Sequence, residues 1–182
     1  MNLLVLVGSL RTGSVNRRLA DAALAHLPGH VEPRVFDGLA DLPHYSPDLD
    51  TDRPPPAALE LREAVSSADA LLVVTPEYNG SLPSVVKNAI DWVSRPRGAA
   101  AIDGTPSAVL AASGSPRGAQ WAREDAVRIL RVAGADVIDD TVGVGSAFEA
   151  FVDGRLSDAD LDAALRSLVR RLTEDVRAVR AA

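Results

Sequence analysis

The chain alternates short apolar segments with segments of helical periodicity, and this alternation restricts the possible folds more than any other feature of the sequence. The apolar segments at residues 3–7, 31–36, 70–74 and 107–112, and a fifth that begins at residue 136, predict strands. Strands that alternate with helices form a parallel sheet with helices on both faces. We therefore predict an α/β fold in which residues 1–182 form a single domain around a doubly wound sheet of five parallel strands.

Helices are predicted between these strands and after the last one. They begin near Ser14 to Asn16, cover residues 57–67, begin at Pro83, cover residues 120–133, and begin at a capping box of Ser157 to Asp160. The third helix should bury Val86, Ala89, Ile90 and Val93, and the last helix Leu161, Leu165, Leu168, Leu172, Val176 and Val179. The first helix should stop at Pro28-Gly29.

Composition excludes several classes of protein. The net charge of −6 argues against a nucleic-acid partner, because phosphate-backbone binding depends on clustered Lys and Arg. The absence of cysteine excludes thiol nucleophiles, disulfides and thiolate metal sites, so any redox chemistry must come from a bound cofactor. The apolar segment at residues 3–7 is too short for a signal sequence or a membrane span. We expect a soluble, cytoplasmic protein with no membrane association.

Three loops that follow predicted strands are rich in glycine and polar residues. They are GSLRTGSVN at 8–16, TPEYNGSLP at 75–83 and ASGSPRG at 112–118. In the flavodoxin-like strand order 2-1-3-4-5, strands one, three and four are neighbours. The sequence therefore predicts that the three loops meet in one crevice beyond the carboxyl ends of these strands.

The first loop has the composition of a phosphate-binding loop. Gly8 and Gly13 have the spacing of a nucleoside-triphosphate loop, but Ser14 stands where that loop needs its lysine. A dinucleotide fingerprint needs a third glycine, although Asp37 after the second strand could replace its ribose-binding acid. Both of these interpretations lack a required residue.

A terminal monophosphate fits the first loop better. Ser9 and Ser14 supply hydroxyls, the helix start supplies N–H groups and a positive dipole end, and Arg11 supplies a charged contact. The other interpretation is that Ser14 or Asn16 only caps the helix and that Arg11 is solvated. In the second loop, Tyr78 could likewise face a heterocycle or pack on the core beside an ordinary Asn-Gly turn.

Three motifs carry a resemblance to a known family: Gly8-Ser9-x-Arg11-x-x-Ser14-x-Asn16, Pro76-Glu77-Tyr78-Asn79-Gly80-Ser81-x-Pro83 and Lys87-Asn88-Ala89-Ile90-Asp91-Trp92. Together they resemble the NADPH-dependent FMN reductase family, which includes quinone, chromate and azo-dye reductases. The resemblance extends from the first strand through the fourth helix. It implies a flavodoxin-like fold, FMN bound at a dimer edge, NADPH or NADH as the reductant, and a homodimer or homotetramer.

The resemblance also implies roles for individual residues. Ser9, Arg11, Ser14 and Asn16 would hold the FMN phosphate and ribityl chain, and Pro76, Glu77, Tyr78, Asn79 and Gly80 would line the isoalloxazine. Ser113 and Gly114 would close the other side of the ring. The third loop departs from the family pattern, because relatives often have a glycine-rich loop there and this chain reads Ser113-Gly114-Ser115-Pro116-Arg117-Gly118.

Chemistry on a bound flavin needs no catalytic side chain, and we predict none. NAD(P)H would reduce FMN and leave, and a quinone, flavin or similar small acceptor would then take its place in a ping-pong cycle. The competing class is a flavodoxin-type electron carrier that binds FMN without a nicotinamide site. Arg117 favours an enzyme that uses a pyridine nucleotide, unless it is simply solvated.

Several residues outside the motifs invite other interpretations. Trp92 lies off the predicted core face of its helix, which favours an interface anchor over the rim of its own domain. Trp121 could border the flavin or a partner subunit. The long segment at 37–56 is predicted to be irregular, and surface packing is favoured for its His44 and Tyr45. Its acids, Asp48, Asp50 and Asp52, resemble a metal cluster but are expected to be solvated, so no metal site is predicted.

Overall fold

Five parallel strands form the sheet of the computed structural model in the order β2-β1-β3-β4-β5, which confirms the predicted topology. The strands are β1 Asn2–Val7, β2 Glu32–Val35, β3 Ala70–Thr75, β4 Pro106–Ala112 and β5 Asp136–Val144. The helices are α1 Val15–Leu24, α2 Pro56–Ser66, α3 Ser84–Val93, α4 Gln120–Ala133 and α5 Ala159–Arg180, and a short hairpin joins β6 Phe151–Val152 to β7 Arg155–Leu156. The structure describes residues 1–180, with side chains up to Glu174, so the predicted positions Val176 and Val179 lie outside the described side chains.

Alternate residues of each central strand face opposite helical layers, as a parallel sheet covered on both sides requires. On one face Leu3, Val5 and Val7 of β1 pack in a cluster with residues of α1 and α5. On the other face Leu4 and Leu6 pack in a cluster with residues of α2, α3 and α4. Both faces of the central strands are therefore buried, which is why they appear in the sequence as continuous apolar runs.

Two helix ends differ from the prediction. Helix α1 ends at Leu24 and not at Pro28-Gly29, because the backbone N–H groups of His26 and Leu27 donate to carbonyls three residues earlier and tighten the chain into a turn. Helix α5 is capped by Asp158, whose Oδ1 accepts the N–H groups of Asp160 and Leu161 at 2.9 and 3.0 Å. Ser157 instead donates to the carbonyl of Ala150.

Trp92 is fully buried, so its predicted role as an interface anchor is wrong. Its indole Nε1 donates to the carbonyl of Pro43 at 2.8 Å, and the ring of Tyr45 meets it edge-on at 5.1 Å between centroids. The segment at 37–56 folds over α3 and covers Trp92 there. The sequence prediction failed because it placed this position beside the helix face that touches the sheet and did not anticipate a second covering layer.

The segment at 37–56 is partly regular and well anchored. A 3₁₀ helix spans Gly38–Asp41, and the side chain of Asn88 both accepts the N–H of Tyr45 at 2.8 Å and donates to the carbonyl of Pro43 at 2.9 Å. Asp50 is not simply solvated, since it accepts a hydrogen bond from the hydroxyl of Tyr45 and lies 2.8 Å from Arg62 Nη2. The segment therefore completes the core on this side of the sheet.

Candidate functional site

The first loop joins β1 to α1 in a turn that needs its glycines. A Cβ added at Gly8 would lie 2.3 Å from Val86 Cγ2 of α3, and Gly13 has a φ of +70°, in the left-handed region that favours glycine. Ser14 caps α1, because the backbone N–H of Asn16 donates to its Oγ at 3.2 Å. This bond uses the oxygen only as an acceptor, so the hydroxyl proton of Ser14 stays available to a ligand.

Asn16 ties the first loop to the third. Its buried side chain donates from Nδ2 to the carbonyl of Ala112 at 2.9 Å, and the N–H of Ala112 donates to Asn16 Oδ1 at 2.8 Å. A ligand contact through this side chain would have to use the second hydrogen of Nδ2 or the second lone pair of Oδ1. The role of Asn16 in holding a phosphate or ribityl chain stays a prediction.

The second loop contains a tight turn from Tyr78 to Ser81. The two residues exchange backbone hydrogen bonds of 3.1 Å, and Asn79 and Gly80 between them have φ values of 53° and 75°. Two successive positive φ angles define a type I′ turn, for which Asn-Gly is the preferred sequence. The turn leaves the Tyr78 side chain 55% exposed.

Glu77 connects the second loop to helix α4. The N–H of Ala122, in the first turn of α4, donates to Glu77 Oε2 at 3.1 Å. The helix has no cap of its own, because Ala119 occupies the N-cap position in a left-handed conformation. A carboxylate at this end satisfies an otherwise free N–H group and interacts favourably with the helix dipole.

The third loop is held by its own hydroxyl and by the end of β5. Ser113 Oγ accepts the N–H of Ala119 and donates to the carbonyl of Ser115, both at 3.1 Å. The backbone of Ser113 also exchanges hydrogen bonds with residues 144 and 147. Half-buried Arg123 donates to the carbonyl of Gly118 at 3.0 Å, and burial lowers the pKa of its guanidinium. These bonds give the loop a defined shape without a ligand.

The three loops meet in one groove of about 160 Å³, which we call the central groove. It is lined by Ser9, Arg11, Ser14, Val15, Asn16, Pro76, Glu77, Tyr78, Ala112, Ser113, Gly114 and Phe148. The predicted convergence of the loops is thus present in the structure. Of the predicted site residues only Asn79 and Gly80 do not line the groove, and they form the turn beside it.

Phe148 is the groove residue that the sequence interpretation missed. It follows β5, and its ring lies against Gly114, where an added Cβ would be 2.6 Å from Phe148 Cε2. No spacing pattern points to it, because the loop after β5 shares only a Gly-Ser pair, Gly145-Ser146, with the first loop. An exposed phenylalanine shortly after a predicted strand, beside the Gly145-Ser146 pair, is the one signal that could have indicated it.

A second groove lies on the other side of the first loop. This outer groove, of about 270 Å³, is lined by Val7, Ser9, Leu10, Arg11, Gly13, Ser14, Arg17, Arg18, Val35, Phe36, Asp37 and Leu39. Arg17 pairs with Asp21 at 3.0 Å. The first loop therefore separates two depressions that share its hydroxyls and Arg11.

Two arginines beside the central groove lie over aromatic rings and have no carboxylate partner among the side chains of residues 1–174. Arg11 Cζ is 5.8 Å from the centroid of Phe148, and Arg117 Cζ is 4.9 Å from that of Trp121. Trp121 also lies against Gly80, where an added Cβ would be 3.3 Å from Cε3. The structure thus places Trp121 beside the second loop, and the groove has unpaired positive charge near each end.

The described residues contain no cluster of three acidic or histidine side chains that could hold a metal ion. None of the helices in this part of the chain combines the length and apolar character needed to cross a membrane. His26 and Asp162, whose Nε2 and Oδ1 atoms lie 2.9 Å apart, join α5 to the turn after α1, and neither residue lines a groove.

Comparison with known proteins identifies the family. The family model described as NADPH-dependent FMN reductase matches residues 1–149, which include all three loops and Phe148. The chain belongs to the NADPH-dependent FMN reductase family. The identification confirms the resemblance that the sequence motifs indicated.

Individual members of the NADPH-dependent FMN reductase family share much of the chain. A 2-hydroxy-1,4-benzoquinone reductase from Burkholderia sp. is 42% identical over 113 residues, which is 62% of this chain and 61% of that protein. An NAD(P)H-dependent FMN reductase from Pseudomonas aeruginosa is 45% identical over 116 residues, covering 62% of this chain and 60% of that protein. The chain thus aligns with about three fifths of the length of these curated relatives.

A solved structure of the family matches the whole fold. The flavoenzyme NAD(P)H:(acceptor) oxidoreductase FerB from Paracoccus denitrificans superimposes with a TM-score of 0.85 at 32% identity, covering 97% of each chain. The three loops that form the central groove all lie within the residues that the family model matches.

Proposed function

We propose that this chain is an NAD(P)H-dependent oxidoreductase that binds FMN in the central groove and reduces a quinone, a flavin or a similar small acceptor. One observation carries the proposal. A single groove joins the hydroxyls and the guanidinium of the first loop to an exposed tyrosine of the second loop and to the ordered third loop. Family membership and the names of the similar enzymes support the same conclusion.

The end of the groove at the first loop fits the phosphate of FMN. Ser9 and Ser14 offer hydroxyl protons, and Arg11 has no carboxylate partner in the described part of the chain. The start of α1 adds a positive dipole end. A compact dianion is the ligand that this set of donors favours, and we assign Ser9, Arg11 and Ser14 to it. Asn16 would act beside them by keeping the loop in place.

The other end of the groove fits the flat ring of the flavin. Pro76 and Tyr78 supply apolar and aromatic surface, and the N–H groups of Asn79 and Gly80 have no acceptor among residues 1–174, whose side chains are described. Glu77 contributes by holding the second loop on α4. Ser113 and Gly114 would close the opposite side. Polar ring edges and free N–H groups are complementary, so the turn can orient the ring without a charged side chain.

FMN bound in this groove would accept a hydride from NAD(P)H and return two electrons to the acceptor. The side chains bind, orient and shield, and none of them has to move a proton for the nicotinamide step. NAD(P)H and the acceptor would use the same exposed surface beside Tyr78 in turn, which gives a ping-pong order. Arg117, over Trp121 at the rim, is suited to meet a phosphate of the nucleotide.

We further propose that the protein works as a homodimer or homotetramer whose partner subunit borders the central groove. The two exposed aromatic residues at its ring end, Tyr78 and Trp121, support this proposal, because such residues are enriched at interfaces. The cytoplasmic location and the absence of a nucleic-acid partner stay predictions from the sequence.

The proposal is tested by adding FMN and then NADPH to the purified protein. We expect FMN to bind with a change in its fluorescence, NADPH to bleach its visible absorption on a millisecond-to-second scale without oxygen, and a quinone to restore the colour. Binding of FMN without bleaching by NADPH or NADH would favour the electron carrier. No binding of FMN would remove the proposal altogether.

A further inference from the structure

Phe148 lies at the mouth of the central groove and is 60% exposed. It belongs to the loop between β5 and the β6–β7 hairpin and has no part in the predicted motifs. Its ring contacts two of the converging loops, through Arg11 on the first and Gly114 on the third. An exposed ring that bridges two site loops calls for a function in the site.

The backbone that carries Phe148 is firmly held. The N–H of Ala147 donates to the carbonyl of Ser113 at 3.0 Å, and the N–H of Ser146 donates to the carbonyl of Ser115 at 3.1 Å. Ala147 is fully buried, and a Cβ added at Gly145 would lie 2.3 Å from the carbonyl oxygen of Pro116. The ring therefore starts from a fixed position on the third loop, even though it is exposed.

Gly114 makes room for the ring. Any side chain at this position would begin 2.6 Å from Phe148 Cε2, closer than a carbon contact allows, so the ring would have to move. Gly114 does not have a positive φ, so backbone strain is not the reason for glycine here. The Phe148 ring can therefore occupy its position only because residue 114 has no side chain.

The Phe148 ring takes part in a cation–π interaction with Arg11. Arg11 Cζ lies 5.8 Å from the ring centroid, within the range of such an interaction, and Arg11 makes no ion pair with the described side chains of residues 1–174. An arginine side chain has many rotamers, and a partner that restricts them reduces the entropy that a ligand would otherwise have to remove. The aromatic ring does this without neutralising the charge.

We propose that Phe148 is a positioning residue that holds the Arg11 guanidinium at the phosphate end of the central groove and thereby selects flavins that carry a 5′-phosphate. The inference rests on the proposed function, since it concerns the same groove. It adds a residue that determines ligand specificity and lies outside the first, second and third loops. The ring itself need not touch the phosphate, because its effect passes through Arg11.

The test compares FMN with riboflavin, which lacks the phosphate, in Phe148→Leu, Arg11→Ala and the double variant. We expect Phe148→Leu to weaken FMN binding about two- to fivefold, the size of an exposed cation–π interaction, and to leave riboflavin binding unchanged. The double variant should bind FMN no more weakly than Arg11→Ala alone. Val152→Ala, at a side chain 59% exposed on the adjacent hairpin, is the matched control and should change neither affinity.

An equal loss for FMN and riboflavin in Phe148→Leu, or additive losses in the double variant, would overturn the inference and leave the proposed function intact. A native protein that binds neither flavin would instead refute the proposed function itself. Fluorescence titration of each flavin provides the readout, so no turnover is needed.

Discussion

Arginines lie over aromatic rings in two regions of the molecule, and the surroundings of the two sets differ. On the α2–α3 side Arg62 lies 5.4 Å from the ring of fully buried Trp92, donates from Nε to the carbonyl of Trp92 at 2.9 Å and lies 2.8 Å from Asp50. At the central groove Arg11 and Arg117 lie over exposed rings. Neither of them has a carboxylate partner among the described side chains, which extend to Glu174.

The difference shows what each region is for. In the buried set, the Arg62 guanidinium contacts the Trp92 ring, a backbone carbonyl and Asp50. Its buried Nη2 lies at ion-pair distance from Asp50 but without the geometry of a hydrogen bond. Burying a charge is costly unless it is paired, so this unit can only serve the fold. The groove set leaves its charges open to solvent. An anionic ligand can pair with those charges with little effect on the stability of the fold.

The largest effect is expected at Trp92. Trp92→Ala should lower the free energy of unfolding by about 3–5 kcal/mol, because a cavity forms and the carbonyl of Pro43 loses one of its two donors. Urea unfolding measures it. The matched control is Trp121→Ala at a side chain 48% exposed, which should cost less than about 1 kcal/mol. Equal losses in the two variants would contradict the distinction between the regions.

Arg11 gives the opposite pattern. Arg11→Ala should raise the Kd for FMN about ten- to a hundredfold, the effect of losing one charge-assisted contact, and change the unfolding free energy by less than about 0.5 kcal/mol. Fluorescence titration and urea unfolding are the two measurements. Arg97→Ala removes an exposed arginine beyond the carboxyl end of α3, away from the groove, and should change neither quantity. An unchanged Kd in Arg11→Ala would place the phosphate elsewhere.

Asn16 tests whether a residue of the groove can behave like the buried region. Asn16→Ala leaves both backbone groups of Ala112 without their partner and should lower the unfolding free energy by about 1–3 kcal/mol. FMN and riboflavin should then both bind more weakly, since the first and third loops separate. Ser9→Ala is the comparison, because the Ser9 side chain makes no hydrogen bond in the described residues. Ser9→Ala should weaken FMN binding and leave the stability unchanged. An Asn16→Ala variant as stable as the native chain would show that the two hydrogen bonds between Asn16 and Ala112 are not needed.

The sequence predicted the sheet because both faces of the strands are buried, so apolar runs such as Leu3–Val7 mark them directly. It predicted the convergence of loops because strand order alone brings them together. It could not predict the fate of Trp92. The 37–56 segment that covers this side chain is polar and irregular in sequence, and its packing depends on hydrogen bonds to the side chains of Asn88 and Trp92.

The contacts of the site residues were hard to predict for the same reason. Ser14 was expected either to cap α1 or to meet a phosphate, and the structure shows the cap while leaving the hydroxyl proton free. The carboxylate of Glu77 was expected at the ring, and it lines the central groove while also accepting the N–H of Ala122 of α4. Phe148 was missed because a contact between distant loops leaves no local pattern. Motifs identify which loops matter, and the partners of each side chain depend on the folded chain.

The smallest expected effect concerns the link between the second loop and α4. Ser81 Oγ donates to Asp125 Oδ2 at 2.7 Å, and Arg128 donates to Oδ1 at 2.8 Å. The hydrogen bond from Arg128 first, and that from Ser81 second, hold the pKa of Asp125 below its ordinary value. A lowered pKa means that the fold favours the charged carboxylate. The stabilisation is therefore present above the pKa of the unfolded chain and is lost as the pH falls through the pKa of the folded state.

Ser81→Ala should raise the pKa of Asp125 toward its ordinary value and lower the unfolding free energy by about 0.5–1.5 kcal/mol at neutral pH. The difference from the native chain should shrink as the pH falls and vanish once the carboxyl is protonated in both states. NMR titration of Asp125 and urea unfolding across the acidic pH range measure both effects. Arg128→Ala removes the larger cause and should raise the pKa further. A stability loss in Ser81→Ala that persists at low pH would show that the hydroxyl supports the Tyr78–Ser81 turn by packing. The hydrogen bond to Asp125 would then not be what joins the second loop to α4.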